Sequence, residues 1–136
     1  MTTIVDQRFP RSMRLKRRRL IVSLFDRSDS TTRSVSVGSI RILYRFVSHR
    51  ETGVATSFQV GFAPGKCKNS VQRNRLRRQL RECWRKNQHV VQTHRFPDHH
   101  ALTLMVLTRG ASQSKDLTAD FSKAMYLLHQ SINMRD

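Results

Sequence analysis

Residues 101–108, ALTLMVLT, are apolar at almost every position. A strand with one wet face alternates apolar and polar side chains, so a run that is apolar at both parities has to be covered on both faces. Such a strand lies inside a sheet, often parallel to a neighbour, with other elements above and below it. A lone hairpin has no place for it. The chain has 136 residues, which suits one domain and leaves too little surface to bury for two. This run is therefore expected to be a strand buried on both sides within one domain.

The flanking patterns supply the cover. Residues 17–26 (RRRLIVSLFD) predict a short helix, with Leu20 and Leu24, and Ile21 and Phe25, paired four apart. Residues 35–47 alternate: Val35 and Val37, then Ile40, Ile42, Tyr44 and Phe46 on one face, Arg41 and Arg45 on the other. That is a period-two strand with a shift near Gly38-Ser39. A turn at His49–Gly53 leads to a second strand, 54–62, expected antiparallel to the first. Pro64-Gly65 breaks the chain. Residues 70–88 predict a helix with Ser70 as N-cap, and residues 118–133 another with Thr118 as cap. In the last helix Phe121, Met125, Leu128 and Ile132 form the core stripe. The order is helix, strand, strand, helix, strand, helix, an α+β arrangement with helices on a small sheet.

Charge points to the partner. There are 26 Lys+Arg against 9 Asp+Glu, a net charge of +17, and 20 of the 26 are Arg. Arginine's planar fork of donors matches phosphates and base edges and stacks on bases, which favours nucleic acid. The charge is also localised. Segments 8–19 and 66–86 hold 16 of the 26 cations, whereas the last 27 residues balance three cations with three aspartates. No apolar run is long enough to span a membrane, and the N-terminus has no signal-peptide core. Cys67 and Cys83 lack zinc spacing and read as free thiols of a cytoplasmic protein.

Within 66–86 the charge is arranged on one face. At about 100° per residue, Leu76, Leu80, Cys83 and Trp84 share one side of the helix, while Asn74, Arg77, Arg78, Arg81 and Arg85 gather on the other. Arginines repeating about once per turn can follow a phosphate backbone, and Asn74 offers both a donor and an acceptor. Glu82 is positioned to pair with Arg78 and Lys86 at i±4, but one carboxylate cannot balance such a face. Trp84 and Cys83 read as core. The histidines His94, His99 and His100 read as loop residues, since no ligand cluster accompanies them. No paired carboxylates, nucleophile triad or P-loop is present.

The segment RNRLRRQLRE (73–82) closely resembles the RNR motif of the bacterial ribonuclease P protein family. Arg73, Asn74, Arg75, Leu76, Arg77, Arg78, Leu80, Arg81 and Glu82 stand at the motif's positions. FPRSMRL (9–15), Tyr44, VGFA (60–63) and LMVLTRGA (104–111) are similar to the family's flanking segments, and the resemblance runs over about 9–132. It implies a two-layer αβββαβα sandwich, ribosomal protein S5 domain 2-like, with a left-handed βαβ crossover. Topology alone would favour a right-handed crossover in about 98% of cases. Residues 1–8 are expected to be a flexible N-terminus and 9–136 one domain.

The resemblance further implies the protein subunit of ribonuclease P, an endoribonuclease that removes the 5′ leader of precursor tRNA. The RNA subunit would carry the catalysis, so no catalytic residue and no metal ligand is assigned in this chain. Mg²⁺ would be held mainly by the RNA and the substrate. The partners would be ribonuclease P RNA and precursor tRNA, with no membrane and no obligate protein partner. The RNA-facing residues are Arg73, Asn74, Arg75, Arg77, Arg78, Arg81 and Arg85, joined by Lys66 and Lys68. Ile21, Phe25 and Tyr44 would line the leader cleft between the first helix and the sheet. Two departures stand out: Ile21 replaces a frequent aromatic, and 63–69 (APGKCKN) is one residue shorter than the family's Ser-Lys-Lys segment. The other classes considered are a non-catalytic RNA-binding protein, such as a ribosomal protein, and a DNA-binding protein with the arginine helix in the major groove. The neutral C-terminal stretch argues against the first, and the lack of a second recognition element against the other.

Overall fold

A computed structural model describes residues 11–53, 56–65, 69–92, 100–108 and 114–133. A 3₁₀ turn at Arg11–Met13 leads into α1 (Arg18–Phe25), β1 (Arg33–Val37), β2 (Ile40–Ser48) and the one-turn α2 (His49–Thr52). Then follow β3 (Phe58–Ala63), α3 (Ser70–Asn87), the one-turn α4 (His89–Gln92), β4 (His100–Thr108) and α5 (Ser114–Asn133). Apart from the two one-turn helices, the order is αβββαβα. Among the described residues no helix is long and apolar enough to cross a membrane.

The apolar run is β4, and it is an inner strand of the sheet, whose order is β1-β2-β4-β3. It is antiparallel to β2 and parallel to β3, the connection between β3 and β4 carrying α3. Both of its faces are covered. Leu102, Leu104 and Val106 join Ile40, Ile42, Phe58, Val60 and the buried faces of α3 and α5 in one core. Met105 joins Leu43, Val47, Leu15, Leu20 and Leu24 in a second core beneath α1. The sheet therefore separates a two-helix layer from a one-helix layer.

Three features differ from the sequence reading. The segment 35–47 is a hairpin, β1 and β2, closed by the Val37↔Ile40 pair around Gly38-Ser39. A two-residue hairpin loop needs positive φ, and Gly38 supplies it at +55°. A Cβ there would collide with the carboxylate of Asp120 on α5, which lies 3.4 Å from the Ser39 N–H. Second, β3 is not paired with β2, because β4 is inserted between them. Third, the caps move by one or more residues. Asn69, in extended conformation, caps α3 by accepting from the Gln72 N–H at 2.9 Å, and α5 begins at Ser114, which leaves Thr118 inside the helix. The turn at 49–53 is a capped helical turn: the Ser48 N–H reaches Glu51 Oε2 at 3.3 Å, and Gly53 ends it at φ +77°.

Trp84 anchors the larger core. It is fully buried and meets Phe58 edge-on, with ring centroids 5.4 Å apart. Among the described residues its indole N–H has no partner. Trp84→Ala is expected to cost about 3–5 kcal/mol in urea unfolding followed by circular dichroism. Trp84→Phe should cost less than half of that, since it keeps an aromatic against Phe58 and removes an unpaired donor.

Candidate nucleic-acid interface

Helix α3 turns Leu76, Leu80, Cys83 and Trp84 inward. That burial fixes the rotation of the helix and leaves Arg73, Asn74, Arg75, Arg78 and Arg81 exposed. Two arginines of the predicted face depart from it. Arg77 is half-buried, because it precedes Trp84 by seven residues and lies within about 20° of it around the helix. Arg85 is also half-buried, and its Nη2 stands 2.6 Å from Glu82 Oε1. Glu82 thus pairs with Arg85 at i+3 rather than with Arg78 and Lys86. Lys66 and Lys68 lie outside the described residues.

Cys83 is 8% exposed, and burial raises its thiol above the ordinary value, so it stays protonated at neutral pH. The described histidine of the expected loop group, His100, opens β4; His94 and His99 lie outside the described residues. Among the described residues no three His, Cys, Asp or Glu side chains could hold a metal ion.

The N-terminal basic segment crosses from one face of the sheet to the other. Residues 12–15 run along the outer edge of β3: the Leu15 N–H donates to Val60 O at 3.0 Å, and Gln59 Nε2 donates to Ser12 O at 2.9 Å. Met13 packs into the core under α3, and Leu15 into the core under α1. The exposed cations Arg11, Lys16, Arg18 and Arg19 follow this path. Arg17 is engaged in the fold, donating from Nη1 to Glu51 O at 3.1 Å and lying over Gly53.

Beside α1 the sheet is open. A cavity of about 410 Å³ lies between the C-terminal end of α1, the loop after it and the strands β1 and β2. Leu24, Leu43 and Leu107 give it aliphatic walls, and Phe25, 46% exposed, stands at its border. Arg33 and Arg41 line it from the strands, and Asp26, Arg27 and Asp29 from the loop.

The loop is held rigidly. Asp26 Oδ1 accepts from the Ser28 N–H and hydroxyl at 2.9 and 2.6 Å, and Asp29 Oδ1 from those of Thr31 at 2.9 and 2.5 Å. These bonds hold both carboxyls below their ordinary range, so both are ionised at neutral pH. Arg45 fastens the loop to the sheet, donating from Nε to Thr31 Oγ1 at 3.0 Å, 3.6 Å from Asp29 Oδ2.

Of the three residues assigned from sequence to a cleft between the first helix and the sheet, Phe25 borders this cavity. Ile21 is half-buried against the core beneath α1 and does not line the cavity. Tyr44 is a correction: it is 2% exposed and packs in the opposite core, under α3 and α5. Its side chain shares the parity of Ile40 and Ile42, whereas Arg41 and Leu43 face the cleft. Arg41 was missed as a residue of this cavity. The signal for Arg41 was the alternation itself, which sets Arg41 and Arg45 opposite Tyr44.

A family model described as Ribonuclease P matches residues 9–129. Among solved structures the chain is similar to the RNase P protein from Thermotoga maritima, at 21% identity and a TM-score of 0.48, covering 89% of this chain and 93% of that one. It is likewise similar to the RNase P protein from Thermotoga maritima in complex with 1-(4-fluorophenyl)-2-thiourea, at 21% identity and a TM-score of 0.47, covering 89% and 95%. A search of curated proteins finds no match.

The open arginines of α3 and the paired one separate experimentally. Replacing Arg78 and Arg81 together by Ala should lower the slope of log affinity for single-stranded RNA against log salt by about 1.4, two phosphates at ~0.7 each. Glu82→Gln releases Arg85 and should raise affinity about two- to fivefold at low salt. Both are read by fluorescence anisotropy across a salt series.

Proposed function

The chain belongs to the Ribonuclease P family, and we propose that it is the protein subunit of a ribonuclease P holoenzyme, which cleaves the phosphodiester joining the 5′ leader to mature tRNA. In this reading the exposed face of α3, with Arg73, Asn74, Arg75, Arg78 and Arg81, binds the catalytic RNA. The cavity between α1 and the sheet receives the single-stranded leader of precursor tRNA.

One observation carries the reading beyond family membership. Exposed arginines of α3 (Arg73, Arg75, Arg78 and Arg81) and of α1 (Arg18 and Arg19) stand with their helices on opposite faces of one sheet, joined at the β3 edge by the basic N-terminal segment. A protein that binds one RNA needs one cationic surface. Two allow it to hold a catalytic RNA and its substrate at once, raising the effective concentration of one for the other. Phosphate neutralisation on both faces lowers the repulsion between the RNAs, and with it the Mg²⁺ the assembly requires. Magnesium supplies Lewis-acid stabilisation and an activated water for the hydrolysis. In this proposal the ion belongs to the RNA and substrate, and the chain contributes binding and orientation.

The test is reconstitution. At a few millimolar Mg²⁺, purified protein added to a bacterial ribonuclease P RNA and precursor tRNA should increase the rate of 5′ cleavage at least tenfold. The gain should shrink as Mg²⁺ rises. No stimulation with an RNA subunit that is active alone at high Mg²⁺ would overturn the proposal.

A further inference from the structure

We propose that the cavity beside α1 holds the leader by its phosphates, with Arg41 as the central contact, and not by stacking its bases. The inference rests on the placement of the leader there. Sequence-tolerant single-strand sites commonly pair a cationic path with aromatic platforms for successive bases. Here the platforms are nearly gone. Tyr44 is turned into the opposite core, the α1 position one turn before Phe25 is Ile21, and the walls are Leu24, Leu43 and Leu107. Phe25 is the aromatic residue left, at the border.

The charges that replace them are ordered. Both carboxylates, Asp26 and Asp29, belong to the loop wall together with Arg27, and Asp29 has Arg45 beside it. Arg41 belongs to the strand side, on the same face as the hydroxyl-bearing Ser34 and Leu43, while Arg33 borders the space with Tyr44, not Leu43, as its register partner. The loop wall thus sets its two carboxylates against Arg27 and Arg45, whereas the strand side offers Arg41 and no carboxylate among the lining residues, so an anion entering this space is held best at the strands. Arg41 is half-buried, so its charge is less screened than that of a fully exposed arginine. Among the described residues it has no ion-pair partner, unlike Arg45 on the same face, whose guanidinium is engaged with the loop. The volume suits a ligand-sized group, since such sites span about 300–1,000 Å³.

The experiment uses the reconstituted holoenzyme and four precursor tRNAs: native leader, abasic leader, neutral methylphosphonate leader and no leader. Abasic substitution should leave affinity within about twofold of native. The neutral backbone should lose as much affinity as leader removal. Arg41→Gln should lower the salt slope with the native leader by about 0.7, one single-strand phosphate. Its penalty should vanish on the methylphosphonate leader, which a merely structural defect would not do. An abasic leader that binds as weakly as no leader, with a neutral one that binds normally, would overturn the proposal in favour of base reading. Affinity unaffected by leader removal would overturn the placement of the leader in the cavity, and this proposal with it.

Discussion

The enclosure of β4 on both faces is the constraint from which the rest of the molecule follows. A strand apolar at both parities can exist in water only between two covering layers. One layer is α3 with α5, seated on Ile40, Ile42, Phe58, Val60 and the even-numbered leucines of β4. The other is α1, a two-turn helix held by Leu20 and Leu24 over Leu43, Val47 and Met105. Each helix is amphipathic, so each turns its polar side away from the sheet. The two arginine-rich segments of the chain therefore end on opposite faces, and the N-terminal segment along β3 links them.

The charge is not one undifferentiated cloud. Arg17 holds the turn after α2, Arg45 ties the loop after α1 to the sheet, and Arg85 is paired with Glu82. Arg78 and Arg81 on α3, and Arg41 in the cavity, stay open to a ligand. The planar fork that suits phosphates also suits carbonyls and carboxylates, so the same residue type serves both the fold and the surface. Only the packing of each position decides which.

Most elements were legible because their hydrophobic periods are clean. The buried faces of α3 and α5 contain every residue of the predicted stripes, Leu76, Leu80, Cys83 and Trp84 on one and Phe121, Met125, Leu128 and Ile132 on the other, with Leu117 and Ala124 added to the second. The hairpin at Gly38-Ser39 was visible only as a phase shift. In a two-residue hairpin Val37 and Ile40 pair and face the same way, which in sequence looks like a strand that slips one step. The strand order was not legible, since it depends on β4 entering between β2 and β3 from more than thirty residues away. Tyr44 was misplaced for a different reason. Its parity was read correctly with Ile42, but its assignment to the cleft followed family resemblance, and the two readings conflict. Packing resolves the conflict in favour of parity.

The central claim is that two opposite faces of one sheet engage two different RNAs. It is tested most directly by photo-crosslinking in the assembled holoenzyme with precursor tRNA, with a photoreactive phenylalanine analogue at position 78 on α3 or at position 25 beside the cavity. The account predicts that position 78 labels the catalytic RNA and position 25 labels the 5′ leader. Labelling of the same RNA from both positions, or of the leader from position 78, would contradict it.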